Sequence, residues 1–255
     1  MSPVSPCAGQ YVSSYFAVPK ARYPGKYRPI LNLKSSMNLS GKALLEWKYQ
    51  RYMKDYLRCV KSVDDNIGRL LDYLEENELA ENTLIVYTSD QGFYLGEHGW
   101  YDKRFMYEES LSMPLVMRLP SKIPEKQVSE DMVLNLDFAP TILDYAGIGI
   151  PEFMQGKSIR PILEGKPPHD WRRSMYYHYY EFPHGWHDVK QHYGVRTKRF
   201  KLIHFYNIDA WELYDLKNDP NELNNLIDSQ SHQTAVVDLK KELERLRHEF
   251  KEDKS

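Results

Sequence analysis

The sequence predicts an α/β protein: part of a mixed, mainly parallel sheet flanked by helices, followed by a small antiparallel sheet with a C-terminal helix. Three observations lead to this prediction. A long apolar stripe at steps of three and four residues precedes a short β-branched run at residues 83–88, typical of a helix leading into a buried strand. Four short strand-like runs follow residue 170. One face of the last segment is apolar, with Val236, Leu239, Leu243, Leu246 and Phe250.

The chain is predicted to have three parts. Residues 1–42 are rich in Pro, Ser, Gly and Tyr and show no sustained period, so we expect an extended segment. Residues 43–170 are expected to form part of a larger α/β domain, because a helical pattern leads into apolar strands. Residues 171–255 are expected to form a small α+β subdomain, because the pattern changes to short strands before a final helix.

Within the α/β part, the helical stripe runs to Leu74, and inner strands are predicted at 83–88 and 114–119. Asp137 is expected to open a further helix as its N-cap, and Gly147 is expected to end it. The small subdomain is predicted to contain four strands, at residues 175–182, 192–197, 200–206 and 211–216.

Composition excludes several classes of protein. With 42% hydrophobic residues among 255, the chain can build a core and is not globally disordered. A net charge of -2 argues against a protein that coats nucleic acid. No apolar run approaches the ~20 residues that a membrane span needs. Two cysteines, Cys7 and Cys59, are too few for a disulfide framework or a structural zinc site.

A polar turn follows the strand at 83–88. Ser89-Asp90-Gln91-Gly92 lies at the carboxyl end of this strand, the edge at which open α/β sheets bind ligands. The side chains of Asp90 and Gln91 offer hard oxygen ligands of the kind that Ca²⁺ or Mg²⁺ prefers. The alternative is a turn that only caps the next segment.

The next loop combines glycines with two cationic or titratable side chains. His98 and Lys103 lie in Gly96-Glu97-His98-Gly99-Trp100-Tyr101-Asp102-Lys103. A lysine close to a divalent ion is expected where both contact a shared anion, such as a sulfate or phosphate ester. The alternative is that Lys103 forms an ordinary surface ion pair with Glu108 or Glu109.

Motifs in a fixed order resemble the C-terminal half of type I sulfatases, members of the alkaline-phosphatase-like superfamily. The resemblance covers about residues 45–230, and the stretch from Tyr179 to Thr197 is most similar to the branch that removes 6-O-sulfate from N-acetylglucosamine. The motifs are Val63-Asp64-Asp65-Asn66-Ile67-Gly68, residues 82–92, Gly96-Glu97-His98-Gly99, Lys103, Tyr107-Glu108-Glu109-Ser110, Asp137-Phe138-Ala139-Pro140, Met154-Gln155-Gly156-Lys157-Ser158 and Glu212-Leu213-Tyr214-Asp215-Leu216.

The resemblance implies roles for four positions. Asp90 and Gln91 match the second pair of calcium ligands, with Mg²⁺ as the less favoured ion. Lys103 matches the lysine that grips the sulfate and serves catalysis, and His98 matches a substrate-side histidine of the same loop. A sulfated sugar is the implied substrate.

The family's nucleophile is absent from this sequence. It is a cysteine or serine in a Cys-x-Pro-Ser-Arg motif, oxidised to formylglycine, and an Asp-Asp ligand pair precedes it. Cys7 is followed by Ala8-Gly9-Gln10 and does not fit. Asp64-Asp65 could replace the missing pair, but their position within a helical stripe is more typical of a solvated face.

The leading interpretation is a hydrolase of carbohydrate sulfate esters, present as an incomplete chain that needs the missing N-terminal half and is inactive alone. One alternative is a non-catalytic glycan-binding protein derived from a truncated sulfatase. Another is a phosphoester or phosphonate hydrolase of the same superfamily, although the extra ligands of a two-zinc site are missing. Family members mostly act outside the cytoplasm, yet no signal peptide is recognisable here, so the compartment is open.

The small sheet is expected to contribute specificity. Alternate strand residues should face the C-terminal helix, and the other set should face the cleft that contains Lys103. Sugars are held by aromatic faces and a few hydrogen-bonding groups, so His187 or His192 is predicted to contact a sugar hydroxyl. The alternative is an exposed loop without function. The aromatic and histidine residues behind this expectation are Tyr176, Tyr177, Tyr179, Tyr180, His184, Trp186, His187 and His192.

Overall fold

The computed structural model describes residues 39–182 and 188–252. The described chain forms two compact units. One contains residues 39–80 with Phe93–Lys103, and the other contains Glu81–Gly92 with the described residues from Arg104 onward. Most of the segment predicted to be extended, residues 1–42, lies outside the described residues, and the three predicted domain boundaries stay a prediction.

The first unit is built on one long helix, α1, at Gly41–Glu76. The predicted helical region is therefore a single helix, and the side chain of Asn77 ends it by donating from Nδ2 to the carbonyl of Tyr73 at 2.8 Å. Of the residues that form α1, only Leu74 is buried. Much of the apolar stripe is instead exposed, including Leu45, Tyr49, Tyr56, Leu57, Val60, Val63 and Leu70. None of the helices in the described part of the chain is long and apolar enough to cross a membrane.

The second unit begins with a two-stranded sheet. Strand β1, Ile85–Thr88, pairs with β2, Leu115–Arg118. The two strands are neighbours, as predicted, and they run antiparallel, an arrangement that a mixed sheet accommodates. The apolar run at residues 83–88 favours a parallel sheet, because strands of parallel sheets are buried on both faces. Tyr87 and Val116 are exposed, and residues 39–182 and 188–252 contain no parallel strand pair.

Three short helices follow in the second unit: α2 at Glu108–Leu111, α3 at Phe138–Tyr145 and α4 at Arg160–Leu163. Asp137 precedes α3 as predicted, but its side chain does not cap this helix. Its fully buried carboxylate instead accepts the N–H of Leu134 at 2.8 Å and pairs with Arg172, whose Nη2 lies 2.7 Å from Oδ1. The ion pair holds the carboxylate away from the capping position.

The small subdomain is an antiparallel meander in the order β3-β4-β5-β6. Its strands are Ser174–Tyr179, His192–Thr197, Phe200–Phe205 and Ala210–Asp215. Helix α5, Gln233–Glu249, packs on one face. This confirms the predicted sheet and C-terminal helix. The core between them consists of Val195, Leu202, Leu213, Val236, Leu239, Leu243 and Leu246.

Candidate functional site

Asp90 and Gln91 lie just beyond the end of β1, after Ser89, and Gly92 allows this turn to pack closely against a neighbouring segment. The N–H of Gly92 donates to the carbonyl of Ser110 at 3.0 Å. A Cβ atom at position 92 would lie 2.0 Å from the carbonyl oxygen of Glu109. Only glycine permits so close an approach of two backbones.

The side chain of Gln91 has a fixed orientation. Its Nε2 donates to the carbonyl of Ser110 at 2.8 Å and to Oγ of Ser110 at 2.7 Å. A carboxamide has two N–H donors, and both point toward Ser110, so Oε1 takes no part in these two hydrogen bonds. Asp90 is exposed beside it. The oxygen atoms of these two neighbouring side chains are the predicted metal ligands.

Two oxygen ligands would fill only part of a calcium coordination sphere, since Ca²⁺ takes six to eight oxygens, and the role of Asp90 and Gln91 as ligands stays a prediction. Across the described ranges, no cluster of three or more His, Cys, Asp or Glu side chains could hold a metal ion. Asp64 and Asp65 lie on the exposed surface of α1, where both pair with Lys61. This position agrees with the solvated face expected from their place in the stripe.

The Phe93–Lys103 loop belongs to the first unit and is held by its own backbone. The N–H of Tyr94 donates to the carbonyl of Asp102 at 2.8 Å, and that of Gly96 donates to Trp100 at 2.9 Å. Gly96 has φ 120°, a conformation that a side chain would strain. The loop thereby closes into a compact hairpin.

His98 and Lys103 occupy different environments in this loop. His98 is half-buried, and its ring stacks on Trp100 at 5.6 Å between centroids and meets Tyr94 edge-on at 6.0 Å. Lys103 is exposed at the end of the loop. Asp90 and Gln91 belong to one unit, whereas His98 and Lys103 belong to the other. Their convergence on one substrate stays a prediction.

The face of the small sheet opposite α5 is covered by the segment Arg104–Glu108, which follows the loop. The hydroxyl of Tyr177 donates to the carbonyl of Arg104 at 2.9 Å. Met106 is fully buried, and a Cβ atom at Gly194 would lie 2.7 Å from its Sδ. The hydroxyl of Tyr107 donates to Glu212 at 2.8 Å. Strand residues of the second face therefore bind the backbone and side chains of this segment.

His192 lies inside this layer, between aromatic rings. Its ring is 5.9 Å from Phe105, 5.7 Å from Tyr177 and 5.4 Å from Tyr179, between centroids. Burial lowers the pKa of His192 to about 4, so the ring is neutral at pH 7. Its Nδ1 lies 2.7 Å from the carbonyl of Lys190, and its Nε2 has no hydrogen-bond partner in the described part of the chain. The ring has no exposed surface, which favours a packing role.

The other residues predicted to determine specificity lie on the two faces of the small sheet or among residues 183–187, which are outside the described residues. Tyr176 is on the α5 side, where its ring stacks on Phe250 at 6.4 Å. This alternation matches the expected pattern of strand faces. His187 lies within residues 183–187, outside the described residues, as do His184 and Trp186. Its substrate contact stays a prediction.

A buried charge cluster is the feature that the sequence analysis missed. Lys201 on β5 is 0% exposed. Its Nζ lies 2.9 Å from Oε1 of Glu108 and 2.7 Å from Oε1 of Glu222. Arg196 also pairs with Glu108 at 3.0 Å. The sequence does contain one indication of this cluster: Lys201 lies within an apolar strand run, Phe200-Lys201-Leu202-Ile203. A charged residue in such a run is expected to need a buried partner.

The pKa values of the two carboxyl groups in this cluster shift in opposite directions. Burial alone would raise the pKa of Glu108, but the adjacent Lys201 and Arg196 bring it below its usual value. Burial raises the pKa of Glu222 above its usual value, although Lys201 offsets part of this effect. Glu108 is therefore the more strongly acidic partner.

A groove of about 1230 Å³ in the second unit brings the predicted ligand pair and the small sheet into one cavity. Asp90 and Gln91 line it together with Tyr177, Arg196 and Lys198. The groove is large enough for a sugar, whose sites are commonly concave and contain a few polar groups.

Comparisons with known proteins identify similar families along most of the chain. Residues 13–148 match the family described as Sulfatase, and residues 96–249 match the family described as N-sulphoglucosamine sulphohydrolase, C-terminal. The first match begins ahead of residue 45, where the sequence resemblance was recognised to start.

Two relatives are named as sulfatases of N-acetylglucosamine. The chain is 55% identical over 219 residues to an N-acetylglucosamine-6-O-sulfatase of Bacteroides thetaiotaomicron, covering 85% of this chain and 39% of that protein. It is 42% identical over 120 residues to the N-acetylglucosamine-6-sulfatase of Capra hircus, covering 46% of this chain and 21% of that protein. The chain spans about two fifths of the length of the first of these relatives.

Solved structures share the fold. A protein in complex with its substrate D-glucosamine-2-N,6-O-disulfate matches with a TM-score of 0.83 and 52% identity, over 87% of this chain and 45% of that one. A phosphonate monoester hydrolase from Silicibacter pomeroyi matches with a TM-score of 0.66 and 29% identity, over 73% of this chain and 39% of that one. The first match confirms the predicted α/β class.

Proposed function

The chain belongs to the sulfatase family, and on that premise we propose that it is the C-terminal portion of an enzyme that hydrolyses 6-O-sulfate esters of glucosamine-type sugars. The 55% identity to an N-acetylglucosamine-6-O-sulfatase over 85% of the chain carries this proposal. The structure that contains a 2-N,6-O-disulfated glucosamine supports the same substrate class. The phosphoester or phosphonate alternative is not favoured, because that likeness has only 29% identity. The comparisons do not favour the glycan-binding alternative either.

The chemistry assigns separate tasks to the residues of this chain. Sulfatases use a metal ion and a formylglycine nucleophile, and we propose Ca²⁺ as the ion that Asp90 and Gln91 help to hold. When bound, the ion supplies positive charge that neutralises the sulfate. Lys103 grips a sulfate oxygen, and this contact strengthens as the ester bond breaks. His98 supplies a polar group on the substrate side of the loop.

The sugar itself is proposed to be recognised by the small sheet. His187 is the candidate for a contact with a ring hydroxyl. His192, the second residue predicted for this contact, is fully buried and is therefore proposed to support the sheet by packing and not to touch the sugar. Tyr177 lines the same groove as Asp90 and Gln91, which supports a sugar position between the ligand pair and the sheet.

The complete site requires a further polypeptide, which we propose to be the N-terminal half of the sulfatase domain. The sequence contains no Cys/Ser-x-Pro-x-Arg motif, so the nucleophile has to come from elsewhere. The exposed apolar stripe of α1 supports this proposal, because a stripe of this length on a long helix is normally buried against a sheet or another helix.

A chimera tests the proposal. In the Bacteroides thetaiotaomicron N-acetylglucosamine-6-O-sulfatase, the 219 matching residues are replaced by those of this chain, and sulfate release from N-acetylglucosamine-6-sulfate is measured. The chimera should be active. Asp90→Ala should abolish its metal-dependent activity, and Lys103→Ala should lower kcat by about 10²-fold, since a charge contact in the transition state is lost.

A matched control distinguishes the loss of a catalytic contact from a general loss of folding. Lys217→Ala removes an exposed lysine of the turn after β6, outside the groove, and should leave kcat within about twofold. An active chimera that is insensitive to both Asp90→Ala and Lys103→Ala would contradict the site assignment. Hydrolysis of a phosphonate monoester in preference to the sulfated sugar would contradict the proposed reaction.

A further inference from the structure

The buried charge cluster fixes the first residue of α2 at two points. The carboxylate of Glu108 is held by Lys201 and Arg196, and its backbone N–H donates to Oε2 of Glu222 at 2.7 Å. Glu222 thus holds the backbone of Glu108 with one carboxylate oxygen and Lys201 with the other. Breaking a buried pair leaves an uncompensated charge, which strongly destabilises the opened state. The start of α2 is therefore firmly attached to the small sheet.

Helix α2 connects the charge cluster to Gln91, one of the two predicted metal ligands. Ser110 is two residues beyond Glu108 in the same helical turn and is 0% exposed. Its carbonyl and its Oγ accept both hydrogen bonds from Nε2 of Gln91, and its carbonyl also accepts the N–H of Gly92. The direction of Gln91 Oε1 depends on where Ser110 lies.

We propose that Lys201 is a positioning residue for Gln91, acting through Glu108 and Ser110. The importance of this position for catalysis rests on the proposed role of Gln91 as a metal ligand. The contacts that carry the proposal all lie within the second unit. Outer partners that orient metal ligands commonly tune a metal site, and here that partner is reached through one helical turn.

The test follows the side-chain amide of Gln91 by NMR in the 255-residue chain, without metal or substrate. The Gln91 signals are identified by their loss in Gln91→Glu. In the wild-type chain, the two amide protons should exchange slowly with solvent, since both donate to Ser110. In Lys201→Met, their exchange should accelerate by about tenfold or more, whereas the backbone amides of α5 should keep their protection.

Two further variants make the result decisive. Lys217→Met makes the same chemical change at an exposed lysine of the turn after β6, outside the groove, and should leave the Gln91 signals unchanged. Glu222→Gln keeps the size of the side chain and removes one charge. It should accelerate the exchange of the Gln91 amide protons to a smaller extent than Lys201→Met does. This variant replaces Lys201→Met as the test if Lys201→Met does not fold.

Unchanged Gln91 exchange in a folded Lys201→Met or Glu222→Gln chain would overturn the proposal. Equal acceleration in Gln91 and in α5 would also overturn it, because the cluster would then stabilise the unit as a whole. An inactive sulfatase chimera would leave this result intact, since the NMR signature needs neither metal nor turnover.

Discussion

Gly92 is the residue on which the approach of the Asp90–Gln91 turn to α2 depends most directly. A Cβ atom there would lie 2.0 Å from the carbonyl oxygen of Glu109, and a backbone atom cannot rotate away. We expect Gly92→Ala to lower the free energy of unfolding by about 1–3 kcal/mol, as overpacking does. Urea denaturation measures it. Gly149→Ala is the matched control, because nothing lies within 4 Å of its added methyl group; equal losses in both variants would contradict the expectation.

His192 should make stability depend on pH. The folded chain keeps the ring neutral down to about pH 4, whereas the unfolded value is 6.5. Between these values the unfolded chain binds the additional proton, so stability falls as pH drops from about 6.5 to about 4 and levels off below. The contribution is about 3 kcal/mol. Burial is the main cause, with a smaller effect of His178 and an opposing one from the carbonyl of Lys190.

Urea denaturation at several pH values between 4 and 7 measures this effect. His192→Phe removes the titrating ring and should flatten the pH dependence by about the same amount. His248→Gln, at an exposed position of α5, should keep the wild-type dependence. An unchanged slope in His192→Phe would show that another group is responsible.

At the scale of residues, the sequence singles out the candidate ligand pair but not the residues that support it. Asp90 and Gln91 could be singled out because two oxygen ligands directly follow an apolar strand. Lys201 could not, because its partners Glu108 and Glu222 are distant in sequence and come together only through the tertiary fold. Local patterning shows that a lysine lies within an apolar strand run, but it does not identify the carboxylates with which that lysine pairs.

Helix α5 is the element that holds the first face of the small sheet. Leu243 is 1% exposed in the core that α5 forms with β4, β5 and β6. Leu243→Ala should lower the free energy of unfolding by about 2–5 kcal/mol, because it removes buried surface and leaves a cavity. Thermal and urea denaturation measure the loss. Val237→Ala, on the exposed side of the same helix, should change stability by no more than about 0.5 kcal/mol.

A loss in Val237→Ala as large as that in Leu243→Ala would contradict this expectation, because alanine has the higher helix propensity and Val237 lies outside the core.

At the scale of elements, periodicity predicted the antiparallel meander and its helix because alternation is local to each strand. The direction in which β1 pairs with β2 was not predictable in this way. An apolar run reads the same whether its neighbour is parallel or antiparallel, and the connection between the two strands decides the direction.

At the scale of the whole molecule, the chain should show no turnover of aryl or sugar sulfates by itself. The nucleophile motif is missing from the sequence, and the described ranges contain no complete set of metal ligands. Sulfate release measured with purified chain and added Ca²⁺ should equal the blank, while the chimera serves as the positive control. Turnover that persists through purification and vanishes with Cys7→Ala would contradict this expectation.

The attachment of residues 104–108 to the second face of the small sheet limits how evolution and engineering can recombine this family. Tyr177, Gly194 and Glu212 each contact that segment, although a long stretch of chain separates the segment from the sheet. A crossover between residues 109 and 173 would join the segment of one parent to the sheet of another. Such hybrids would combine surfaces that did not evolve together, so we expect hybrids that take the segment and the sheet from one parent to fold more stably.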